Sequence, residues 1–145
     1  MIRRWSRPLH RTIILALGWW LTICSAAPLD LQSYGTAALL EVEYFSWTAF
    51  RQLPSQCAKE VQAFYIDYAY RAYEAGAIDK TAYNRALALA FTRVCILTER
   101  GADTEGATAF CKQAASHFDA LRPGGNFGEF RNEVASDDFH PSKAP

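Results

Sequence analysis

Apolar residues recur at three- and four-residue steps over most of this chain, and proline and glycine cut the pattern every few turns. That combination restricts it to helices joined by short connections, because half-buried strands need a period of two. Leu39, Val42, Phe45, Ala49 and Leu53 share one face of a first helix, from about Leu31 to Leu53. Pro54 ends it, since the residue before a proline avoids the helical region. Ser55 reads as the N-cap of a second helix reaching about Ala75. Cys57, Val61, Phe64, Tyr65, Tyr68 and Ala72 make its first stripe, and Ile66, Tyr70 and Tyr73 a second. Gly76 suits a left-handed C-cap.

Asp79 caps a third helix, with Tyr83, Leu87, Ala90, Phe91, Val94 and Thr98 on one side. Leu89 and Ile96 lie elsewhere on it, so this helix is expected to be buried on more than one face. Gly101 stops it, and Asp103 or Thr104 opens a fourth. The fourth carries Ala107, Phe110, Cys111, Ala114, Phe118 and Leu121 as its stripe and ends at Arg122–Gly125. Phe127, Phe130 and Val134 align in a short amphipathic turn. Short loops make successive helices antiparallel neighbours. The expected fold is all-α: a small up-and-down bundle of about four helices over residues 27–135, with residues 136–145 a disordered tail.

Residues 1–26 read as a secretory signal peptide: a basic start, an apolar run from Ile13 to Cys24, then small residues. The run is shorter than the roughly 20 residues that span a bilayer. Cleavage after Ala26 is expected, giving a periplasmic or secreted protein. The alternative is an uncleaved anchor, which would be the chain's contact with membrane. Arg3, Arg4, Arg7 and Arg11 leave with the leader, so 15 basic residues fall to 11 against 15 acidic, a net charge of −4. Such a chain lacks the basic patch of a nucleic-acid binder.

An exporting compartment allows disulfides. Three cysteines remain after cleavage: Cys57, Cys95 and Cys111. Cys95 lies eight residues before the turn at Asp103 and Cys111 eight after it, so an antiparallel hairpin sets them at one height. The expected disulfide is Cys95–Cys111. Cys57 falls about one helical turn from that height, so it is either an alternative partner or a free thiol. A thiolate metal site would need a fourth ligand, and His117 is on the wrong face to supply it.

No constellation of catalytic type emerges. Ser116, His117 and Asp119 diverge around a helix, and His117 reads as part of an exposed polar face. Glu41 and Glu43 also diverge, and Asp67 is placed to pair with Arg71 at the four-residue spacing. The glycines between Pro123 and Gly128 follow a helix and carry no lysine, unlike a phosphate loop. Tyr65, Tyr68, Tyr70 and Tyr73 crowd the second helix, and tyrosine is favoured at interfaces for its rigid area and polar tip. They form the candidate partner surface, for another protein or for a second copy of the chain. The functional expectation is an exported, non-enzymatic periplasmic binding protein without cofactor or metal, such as an inhibitor or immunity protein. The alternative is a structural or accessory component of an envelope secretion or conjugation assembly.

Overall fold

The computed structural model describes residues 34–136, 139 and 140. The expected signal segment, and residues 137, 138 and 141–145 of the expected tail, lie outside the described residues. The helices are α1 (Thr36–Gln52), α2 (Ser55–Glu74), α3 (Lys80–Arg100), α4 (Thr104–Leu121) and α5 (Phe127–Ala135). The all-α bundle is as expected, with the amphipathic turn after Gly125 lengthened into a nine-residue helix. Among the described residues, no helix is long and apolar enough to cross a membrane.

The helix ends follow local chemistry. The Asp79 carboxylate accepts from the Ala82 backbone N–H at 2.7 Å, and Asp103 from that of Gly106 at 2.9 Å. Asn126 does the same for α5 through Glu129 at 3.2 Å. Each bond satisfies one of the N–H groups a helix start leaves without a partner. A side chain on Gly106 would collide with the capping Asp103 carboxylate, so this glycine permits the cap. Gly76 takes the left-handed conformation expected of it, at φ 70°. Ser55 differs from expectation. It is already the first helical residue, Pro54 holds the N-cap position, and no side chain caps α2.

α3 is the centre of the molecule and touches each of the other four helices. Every residue from Ala86 to Thr98 is buried. A helix buried all round needs partners on every side, and small residues such as Ala86, Ala88 and Ala90 let those partners approach. The bundle is therefore built around one helix rather than as four equal walls. Phe50, Ala58, Leu89, Leu97, Phe118 and Phe130 belong to one core cluster. The Phe118 and Phe130 rings stack at 4.9 Å and dock α5, and Arg131 forms an ion pair with Glu99 of α3.

Phe139 joins the same cluster, although the sequence reading placed it in a disordered tail. The Trp47 indole N–H donates to its carbonyl at 3.0 Å, and the His140 ring meets Trp47 edge-on at 5.2 Å. Burial of one large ring and one good hydrogen bond hold this point of the tail against α1, which periodicity does not reveal in so short a segment.

Cys95 and Cys111 form the expected disulfide across the α3–α4 hairpin, with Cα atoms 5.3 Å apart. Cys57, buried near the start of α2, is disulfide-bonded too. The reading of Cys57 as a free thiol, or as an alternative partner for this pair, is thereby corrected: no described cysteine is free. Replacing Cys95 and Cys111 together by serine is expected to lower unfolding stability by about 3 kcal/mol, the chain-entropy value for a loop of this size. Urea denaturation of the oxidised parent and the double variant measures it.

Candidate functional site

The four candidate tyrosines divide according to the faces of α2. Tyr65 and Tyr68 are core residues, 1% and 4% exposed, and are not available to a partner. Tyr70 and Tyr73 are exposed, at 47% and 39%. Phe64 and Tyr34, which the sequence reading did not assign to the surface patch, join them at 42% and 43%. Their exposure is decided by which sides of α2 meet α1 and α3, and this is a tertiary fact.

The exposed rings are held by other rings. Tyr73 stacks on Tyr83 of α3 at 4.5 Å, and Tyr70 meets the same ring edge-on at 5.5 Å. Tyr83 in turn meets His117 of α4 edge-on, and His117 lies parallel to Phe91 at 6.0 Å. Phe91 stacks with Phe110 at 6.4 Å, so a ladder of rings crosses from α2 over α3 to α4. Burial, a hydrogen bond with Tyr70 and the nearby Glu74 all push the Tyr83 phenol well above its usual value, so it stays protonated. On a second face, Tyr34 packs 5.2 Å from Tyr68, beside Phe64.

His117 is a half-buried rung of this ladder, not part of an exposed polar face as expected. Burial lowers its pKa, so it is neutral near pH 7. Its Nδ1–H donates to the Asn84 side-chain oxygen at 3.0 Å. Its neighbours are rings and an amide, and none completes an acid–base pair.

A second group of polar side chains lies inside the molecule, where α1 meets α2 and α3. Glu43, Ser46, Gln62 and Arg93 are all buried, and Arg93 is completely enclosed. The Ser46 hydroxyl donates to the Gln62 side-chain oxygen, and the Gln62 amide donates back to the Ser46 carbonyl at 2.9 Å. One Arg93 nitrogen donates to Ser46 Oγ at 2.9 Å, while its Nε and Nη2 have no hydrogen-bond partner. Arg85 pairs with Glu43 at 3.3 Å. Glu43 is thus a paired carboxylate within the core. Its helix turns it toward α3, where the two guanidinium groups lie.

Burial pushes the Glu43 pKa above its ordinary value, against the opposing pull of Arg85, Arg93 and His140. Burial likewise lowers Arg93 to about 10, against the pull of Tyr65 and Glu43. In both groups desolvation outweighs pairing, the usual balance for charges taken out of water. Arg93 remains charged at pH 7.

A pit of about 50 Å³ opens beside this seam, lined by Leu39, Leu40, Glu43, Tyr65, Ala82 and Arg85 among others. It has room for a few water molecules, far below the roughly 300–1,000 Å³ of a small-molecule site. Ser46 has no base to take its proton, since its hydroxyl donates to an amide oxygen. Cys95, Glu99 and Cys111 lie close enough together to suggest a metal site, but both sulfurs are committed to the disulfide.

With this geometry in place, comparison of the chain with protein-family models, curated proteins and solved structures finds no match.

Two outcomes follow for the seam. Glu43 binds its proton more tightly in the fold than in the unfolded chain. Its contribution is therefore full below its ordinary value of 4.5 and is lost as pH rises through its raised value. The stability difference between the parent and Glu43→Gln should shift against the parent as pH rises above 4.5, read from urea midpoints over a pH series. Arg93→Met should change stability by under about 1.5 kcal/mol, because it removes a costly charge and keeps volume. Arg93→Ala should cost about 2–5 kcal/mol, because it leaves a cavity that methionine would fill.

Proposed function

We propose that the chain is an exported, non-enzymatic protein that binds another protein through the exposed aromatic face of α2, in the manner of an inhibitor or immunity protein. The observation that carries this reading is the rigid exposure of Tyr70 and Tyr73. Both are large rings left 47% and 39% exposed while being clamped by Tyr83. Rings held in place lose little freedom on binding, which is why tyrosine serves well as an interface anchor. The expected leader and the Cys95–Cys111 disulfide support a periplasmic or secreted location, since disulfides persist where thiols are not kept reduced. The small volume of the pit and the commitments of His117, Ser46 and the paired cysteines argue against catalysis at those groups.

The test is co-purification from an exporting host, with Tyr70→Ala/Tyr73→Ala as the variant. The parent should emerge from the periplasmic fraction with a partner in fixed stoichiometry. The double variant should lose that partner by about a thousandfold in affinity, two anchors at the usual hot-spot value of about 2 kcal/mol each. Its thermal unfolding should stay cooperative. A parent that remains alone, or a variant that keeps its partner, would sink the proposal.

A further inference from the structure

The exposed face of α2 carries a charge pattern as well as rings. Glu60, Asp67 and Glu74 are all exposed and stand seven residues apart. Two turns of helix separate them, about 10.5 Å each time, so they form a line up one side. Phe64 and Tyr70 flank that line, and Ala63 lies between Tyr70 and the acids, all within roughly a third of the helix circumference. Arg71 is the base on this face, and it pairs with Asp67 at 2.9 Å. Both partners are about 60% exposed, so the pair is weak and readily exchanged. Three carboxylates against one guanidinium leave the strip negative, with an aromatic ring on either side.

We infer that this strip is built for a basic amphipathic helix of the partner. Resting on the protein-binding reading above, this inference adds the partner's chemistry. A helix with Lys or Arg at seven-residue spacing meets the three carboxylates in register, and aliphatic side chains beside those bases cover Phe64 and Tyr70. The arrangement is that of a helix pair in which charged positions choose the partner and flanking apolar positions supply contact area. An acidic or uncharged helix has no counterpart for Glu60 and Glu74. Charge complementarity therefore selects the occupant from among those that would merely cover the rings.

The probe is a synthetic amphipathic helix about three heptads long, with Lys at every seventh position and Leu beside it. A twin with Glu in place of Lys serves as the control. Titration at low salt compares the full mature chain with Glu60→Gln/Asp67→Asn/Glu74→Gln and with Phe64→Ala/Tyr70→Ala, each checked for parent-like circular dichroism. The Lys helix should bind the parent, the Glu helix should not, and the carboxylate-neutralised variant should bind the Lys helix about tenfold more weakly. Added salt should erase that difference. Equal binding by parent and neutralised variant would overturn the basic-helix inference. If Phe64→Ala/Tyr70→Ala still weakened binding in that case, the aromatic docking face would stand without it. No binding of the Lys helix to the parent, or equal binding of the Glu helix, also overturns the inference. So does a concentration-dependent dimer lost in Phe64→Ala/Tyr70→Ala, which would assign the strip to a second copy.

Discussion

The burial of α3 from Ala86 to Thr98 is the constraint on which the rest depends. Thirteen consecutive residues from Ala86 to Thr98 are enclosed, so every other helix must lie against this one. A helix in that position cannot present a polar face to water. Its polar residues must find partners inside. Thr92 solves the problem locally by donating to the Ala88 carbonyl one turn back. Arg93 cannot, and α1 meets it with Ser46 and Glu43 while α2 supplies Gln62 to Ser46. The seam that results is costly in desolvation but directional. Apolar side chains would tolerate many rotations of α1, whereas these hydrogen bonds accept few. The register of α1 thus follows from a charge on α3.

This arrangement has a consequence for the outer surface. With the inner sides of α2 occupied by Gln62, Tyr65, Tyr68 and Ala72, the remaining rings are left outside. They rest on other rings: Tyr70 and Tyr73 close over Tyr83, His117 links that group to Phe91, and Phe64 lies beside Tyr68. The hydroxyl tips keep such a surface compatible with water. The described residues thereby hold an aromatic face beside an acidic line.

Much of the fold was legible because local rules governed it. Pro54, Gly76, Asp79 and Asp103 punctuate the chain through backbone geometry and capping, which depend on neighbours a few residues away. The Cys95–Cys111 pair was readable because a short turn and equal arms bring the two positions to one height. The Asp67–Arg71 pair needed only helical spacing. The candidate site was less legible. Tyr65 and Tyr70 look alike in the sequence, and Phe64 falls on a stripe shared with core residues. His117 read as exposed because it is polar, and its burial, like that of Glu43, depends on helices far away in the chain. Phe139 was hidden for a similar reason, since a single ring in an irregular segment has no period to betray it.

The amino-acid sequence by itself determined that this is a helical chain, where most of its helices begin and end, and which cysteines face each other across the last hairpin. These follow from interactions between residues close together along the chain. The tertiary structure decided that α3 is central, that Glu43 and Arg93 share a buried seam, and which rings of α2 remain exposed. Those outcomes depend on how whole helices rotate against one another. That rotation is set by the sum of distant contacts, which no local pattern records.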